Sequence, residues 1–367
     1  MRTTTRNLLA LAATASLVVA TLGVAPATAK KPPSGGSSDA TGLVFMVNPV
    51  QSSGDQSMTD QNDAASAVLL SDYARVPLRN LDGSGYLRGS WVVVESSTGT
   101  PAYSSTGTYD FNRSEDQFEQ VMGYFWVNQA QEYLQSLGFG STLPGIVDEP
   151  LALKIGQYGG DNSYQTDKPF RIRLGKGGVD DAEDAEVIVH EYGHAVHADQ
   201  VAGYGGSLDA GAIGEGFGDY LAVTVGLDAA RQYGWPVRGL HPYEAERGWD
   251  PRACVADWDA TSYHPGPVHC LRRIDQDFTL ADRRNQVHFD GMIWSAALWD
   301  IRLGYEQKRI GSRAWDTTLI DSQFGYAPDT SFQAAAQVTY ENALARNGKS
   351  AAKLVRDAFA ARQIYVS

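Results

Sequence analysis

Apolar residues recur along the chain with two periods, and the change from one to the other divides it. From Leu43 to about residue 110, short apolar runs such as LVFMV and GYLRGSWVVVES alternate with Gly, Ser and Thr and with the turn sequence Asp82-Gly83-Ser84-Gly85, a pattern that predicts strands joined by turns. At Ser114 the texture changes. The stretch SEDQFEQVMGYFWVNQAQEYLQSLGFG opens on serine and acids, repeats apolar residues at helical spacing and closes on glycine. It predicts one amphipathic helix whose aromatic residues Phe118, Tyr124, Phe125 and Tyr133 face a core. LALKIG and PFRIRLG read as two further strands. Beyond Gly178 the period is helical, and helices are predicted over 180–200, 210–225, 291–307, 332–346 and 349–362. The implied fold class is α+β, with a β-rich first lobe, a mainly helical second lobe and a cleft between them as the natural place for a site.

Residues 1–29 stand apart from this pattern. Arg2 and Arg6 precede an apolar run from Leu8 to Val24, and Ala27-Thr28-Ala29 supplies a small-x-small cleavage pattern, so a secretory signal peptide is expected. Residues 30–42, KKPPSGGSSDATG, read as a flexible leader. The rest divides into a β-rich region at 43–110, a stretch at 111–200 and a helical part at 201–367. Lys+Arg 30 against Asp+Glu 43 gives a net charge of −13, which argues against nucleic acid or an anionic membrane as a partner. No second stretch could span a bilayer, so the expectation is a secreted, extracellular chain with no membrane association after signal cleavage and with monomer as its default state. In an oxidising destination the two cysteines, Cys254 and Cys270, are expected to form one disulfide, since they lack the CxxC spacing of a metal site.

The residues that carry chemistry lie in His190-Glu191-Tyr192-Gly193-His194, an HExxH run inside the apolar helix VIVHEYGHAVH. Positions four apart share a helix face, so both imidazoles can reach one zinc ion, while Glu191 points beside the ion as a general base for a zinc-activated water. A catalytic zinc needs a third protein ligand and an open position. Gly214-Glu215-Gly216-Phe217-Gly218-Asp219 supplies two acids on one face of the next helix: Glu215 completes a His2Glu set, and Asp219 can accept the free ring N–H of a ligand histidine.

With HEYGH followed by GEGFGD, and 20 residues between His194 and Glu215, the sequence resembles the gluzincin metallopeptidases, most closely the fungalysin branch, whose relatives include thermolysin. The resemblance implies a two-lobed thermolysin-like fold with the zinc site in the cleft. It implies His190, His194 and Glu215 as zinc ligands, Glu191 as base and Asp219 behind them. Phe118 to Phe139 is similar to the helix that precedes the family's substrate-edge strand, and Asn162, Ser163 and Tyr164 stand where that strand binds substrate. The stretch Val287-His288-Phe289-Asp290-Gly291 is similar to the family's VH-x-x-G, in which the histidine donates to the oxyanion, so His288 inherits that role. The family's orienting carboxylate for this histidine has no counterpart, since position 283 is arginine. Fungalysins usually carry a long prosegment; here either none is separate or residues 30 to about 50 form a short one.

The run Asp180-Asp181-Ala182-Glu183-Asp184-Ala185-Glu186 holds more acids than a helix N-terminus needs, and a hard cation such as calcium is the expectation attached to it, as thermolysin-like relatives bind calcium near this helix. Val187-Ile188-Val189 is expected to wall an apolar pocket for the residue after the scissile bond. A metzincin would need Gly at 197 and His at 200, where this chain has His197 and Gln200. His241, His264 and His269 read as loop residues. The expected function is a secreted zinc-dependent endopeptidase with polypeptide substrates. Its rivals are an aminopeptidase on the same zinc set, for which the GAMEN-type amine motif is missing, and a secreted zinc-binding protein without turnover, for which an intact Glu191 would have no duty.

Overall fold

The computed structural model describes residues 39–367 except 61–62, 97–98, 157–158, 168, 236–247 and 264–269. The signal-peptide reading, most of the leader, and His241, His264 and His269 lie outside the described residues. Ala40 is already buried and the first strand starts at Thr41, so the chain enters the fold just before the end of the composition-defined leader.

The first lobe holds two small sheets. Strands β1 (Thr41–Val44), β2 (Ala74–Pro77) and β4 (Thr108–Tyr109) form one, in the order β2-β1-β4. Strands β3 (Val92–Val94), β5 (Leu151–Lys154), β6 (Tyr164–Thr166) and β7 (Arg171–Arg173) form the other, in the order β3-β5-β7-β6. The first three neighbours run parallel, whereas β6 pairs antiparallel with β7 and is left as the edge strand. A short helix α1 (Pro49–Ser53) follows β1, and α2 (Asp116–Ser136) packs on β1 and β3. Phe118, Tyr124, Phe125 and Tyr133 are all buried, in agreement with the core reading of that helix.

The second lobe is helical. α3 (Ala185–Gln200) and α4 (Leu208–Gln232) pack together; α5 (Ala260–Tyr263) is a single turn; α6 (Val287–Gln307), α7 (Ser312–Gln323) and α8 (Phe332–Ala361) complete it, with a small hairpin of β8 (Cys254–Val255) and β9 (Arg272–Arg273) alongside. α3 begins later than predicted because Asp181–Glu183 forms a separate 3-10 turn and Asp184 then caps the helix through the Glu186 N–H. α4 begins earlier, since Ser207 caps it. α8 breaks at Gly348, whose φ of 80° ends one helix and starts the next, as the predicted closing pair implies. α7 escapes the periodicity reading because Thr317, Thr318 and several polar residues dilute its apolar stripe, yet Trp315, Leu319 and Ile320 are buried. Among the described residues no helix is long and apolar enough to cross a membrane.

Glycine sets the spacing of the helices that carry the site. A Cβ on Gly218 would lie 2.7 Å from His190 Nδ1, and one on Gly216 would lie 2.4 Å from the Gly291 carbonyl oxygen. The alternating glycines of GEGFGD therefore let α4 press against α3 on one side and α6 on the other.

Candidate metal centre and active-site cleft

A cleft of about 520 Å³ runs between the edge of β6, helices α3 and α4 and the β8-β9 hairpin. His190, Glu191, His194, Glu215 and His288 all line it, so the structure brings together every candidate ligand and proton-handling residue named from sequence. One ligand atom each from His190, Glu191 and His194 lies within 4.8 Å of the others. Across from them Glu215 Oε2 is 3.3 Å from His190 Nε2 and 3.4 Å from His288 Nε2, and Glu215 Oε1 is 3.6 Å from His194 Nε2.

The hydrogen bonds behind these groups set their protonation. Asp219 Oδ1 lies 2.9 Å from His190 Nδ1, and a carboxylate can only accept there, so Nδ1 carries a proton and Nε2 is the nitrogen that faces the cleft. Asp219 is held in turn by two 2.7 Å bonds from Arg272, Nε to Oδ2 and Nη2 to Oδ1. Burial would raise the Asp219 carboxyl, but Arg272 and then His190 hold it down to about 2. Burial would likewise lower His190; Asp219 and Glu215 outweigh it and drive the imidazole up to about 10. Burial also opposes ionisation of Glu215, yet His190, His194 and His288 keep it well below the usual carboxylate range. Burial dominates for Glu191, whose carboxyl is raised.

This donor set fits a zinc ion. Without an ion, a proton on His190 holds its Nε2 against the Glu215 carboxylate at 3.3 Å, with His194 Nε2 at 3.6 Å, and a zinc ion would take that proton's place among the same three donors. Glu191 Oε2 is buried without a hydrogen-bond partner among the described residues, while Glu215 Oε2 faces the ring nitrogens of His190 and His288.

Asn162, Ser163 and Tyr164 also line the cleft, along the edge strand. The Ser163 hydroxyl is already engaged, donating to Asp181 Oδ2 at 2.5 Å and accepting from the Gly175 N–H at 3.2 Å. Val187 lines the cleft as expected, but Ile188 and Val189 are buried in the core, and Asp181, Glu186 and Asp259 line the same cleft. His197 is buried between Tyr204 and Phe217 and takes no part in the site.

Sequence reading missed two supporting residues. Arg272, on β9, gives no motif signal; its place is fixed by the Cys254–Cys270 disulfide, which forms as expected and closes a separation of 16 residues beside it. In the chain-entropy account such a loop contributes about 3 kcal/mol. Reduction with dithiothreitol is expected to lower the denaturation midpoint by a corresponding amount, read from urea unfolding followed by tryptophan fluorescence. The second is Gln286. It caps α6, its Oε1 accepting from the Phe289 N–H at 2.6 Å, so its amide nitrogen is left to donate to His288 Nδ1 at 2.8 Å. That bond supplies the orienting partner that arginine at position 283 does not.

These features define a metallopeptidase centre. The fungalysin metallopeptidase (M36) family profile matches residues 170–362, over half of the chain, and the chain belongs to that family: it is a zinc metallopeptidase whose substrates are polypeptides. Among solved structures it is similar to a precursor of protealysin, a metalloproteinase from Serratia proteamaculans, at 14% identity and a TM-score of 0.49, with 76% of this chain and 89% of that one covered. Comparison with curated proteins finds no match.

Proposed function

We propose that the chain is a secreted zinc endopeptidase in which His190, His194 and Glu215 hold the ion and Glu191 is the general base. The observation that carries this reading is the meeting of those three donors with an uncommitted, buried Glu191 carboxylate in a cleft bordered by an open strand edge. Zinc in such a setting supplies Lewis acidity, acidifying water and polarising a carbonyl. Glu191 accepts the proton of the attacking water and delivers it to the leaving amine. Asp219, backed by Arg272, keeps the His190 tautomer that presents Nε2. The edge at Asn162, Ser163 and Tyr164 receives the substrate backbone as an added strand, with Ser163 anchoring that edge to Asp181. The disulfide supports an oxidising, extracellular destination.

His288 donates to the carbonyl oxygen as charge builds there. Because Gln286 donates to Nδ1, the ring carries its proton on Nε2, the atom turned toward Glu215 and the cleft. Gln286→Leu is expected to lower kcat by about 10–100-fold with KM and zinc content little changed. In Gln286→Glu the helix cap survives but Nδ1 must carry a proton. Nitrogen-15 shifts of the His288 ring distinguish the two; an Nδ1–H tautomer in the wild type would count against the assignment.

The direct test of the function is hydrolysis of an internally quenched peptide with a blocked amino terminus. Cleavage that stops on zinc chelation and returns with added zinc is the expected result. Cleavage only of peptides with a free amino terminus would favour the aminopeptidase.

A further inference from the structure

The chain bridged by the Cys254–Cys270 disulfide reaches both walls of the cleft. On the zinc side, β9 follows Cys270 closely and delivers Arg272 to Asp219, which holds His190. On the far side, in α5, the Ser262 hydroxyl accepts from the Val179 N–H at 2.8 Å and the Tyr263 hydroxyl donates to the Asp161 carbonyl at 3.3 Å. Asp161 lies in the turn that leads into edge strand β6. Between these attachments Ala256 has a φ of 52°, and its N–H donates to Glu186, one turn before His190 on α3. A residue other than glycine keeps that conformation only where its surroundings hold it.

The backbone pairing that closes this loop is short. β8 and β9 match two residues each, Cys254 with Arg273 and Val255 with Arg272, and a hairpin that small is marginal by itself. The covalent bridge beside it therefore sets the register that aims Arg272 at Asp219. Cys254 is buried and Cys270 partly exposed, and Arg273 Nη1 donates to the Cys270 sulfur at 3.4 Å. A guanidinium so placed favours a thiolate at Cys270.

We propose that the Cys254–Cys270 disulfide is a reducible latch on the active site: closed, it positions Arg272 and the approach to the substrate edge, and opened by a dithiol reductant it lowers both zinc retention and turnover. In the opening step a thiolate of the dithiol attacks the Cys270 sulfur, the bond between the two cysteines breaks and its electron pair leaves on the Cys254 sulfur, which takes a proton from water. The second thiol of the reductant, deprotonated to solvent, then attacks its own partner sulfur in the mixed disulfide and expels Cys270 as a thiolate beside Arg273. Two electrons pass to the protein, and the dithiol becomes a cyclic disulfide. Freed of the bridge, the loop gains conformational entropy and the Arg272–Asp219 bonds weaken, so His190 loses its orienting support. A chain made in reducing surroundings thus reaches full activity only where the bridge can form. The effect on turnover rests on the peptidase reading; the effect on zinc retention needs only the ligand set.

The test compares the oxidised full chain, the same chain reduced with dithiothreitol and then freed of it without oxygen, and the double variant Cys254→Ser with Cys270→Ser, zinc quantified in each. Reduction is expected to speed zinc transfer to a chromogenic chelator, and to lower kcat/KM on a quenched peptide, each by about tenfold at room temperature. Far-ultraviolet circular dichroism is expected to stay unchanged, and reoxidation to restore both values. The double variant is expected to match the reduced chain and to ignore dithiothreitol. A bridge that only staples the fold lowers Tm and leaves zinc transfer and kcat/KM as they are, and that result overturns the proposal. So does unfolding of the reduced chain at room temperature, since the latch acts within a folded protein. Zinc transfer is read without peptide, so failure here is distinct from failure of the peptidase reading.

Discussion

Replacing Glu191 by glutamine is expected to lower kcat for peptide hydrolysis by about 10²–10⁴-fold while zinc stays at one per chain. Glu191 follows ligand candidate His190 on α3, is 6% exposed, and has Oε2 without a hydrogen-bond partner among the described residues. Glutamine keeps its shape and packing but cannot take a proton from water. The histidines and Glu215, which hold the ion, are untouched. The check is a quenched-peptide assay run beside zinc quantification by atomic absorption. A variant with full zinc and wild-type kcat would remove Glu191 from the mechanism.

The largest expected loss of stability comes from Asp316→Ala. Asp316 is fully buried on α7, where Oδ2 accepts from Tyr133 of α2 at 2.5 Å and from Arg302 of α6 at 2.9 Å, and Oδ1 accepts from Tyr220 of α4 at 2.5 Å. One carboxylate thus satisfies polar groups from three other helices. Its removal strands the Arg302 charge and two hydroxyls in the core, at a cost of about 3–5 kcal/mol. Urea denaturation should show a lower midpoint at unchanged m. A loss below about 1 kcal/mol would mean that water reaches Arg302.

How much of this was legible in the sequence depends on how local each signal is. His190 and His194 stand four apart on one helix with Glu191 beside them, and Glu215 and Asp219 stand four apart on the next, so helical spacing alone pointed each pair to one face. The long helices carried strong periodicity, while α7, diluted by threonine, did not. Contacts between remote segments leave no local trace. Arg272 on Asp219, and Asp161 with Asp259 around Asp181, become neighbours only through the packing of β6, α3, α5 and β9. The acidic run drew attention for its count, but most of its members serve a cap, an arginine and a backbone N–H. The glycines of GEGFGD had a signal that went unread: small residues alternating beside a ligand indicate close helix contacts, as Gly216 and Gly218 show.

The central claim, an open zinc site on His190, His194 and Glu215, is tested most directly by X-ray absorption at the zinc edge of the purified protein. The account predicts two imidazole nitrogens and a carboxylate oxygen at about 2.0–2.2 Å, with exchangeable solvent completing the shell. A shell closed by a fourth protein ligand, or one without imidazole, would contradict it.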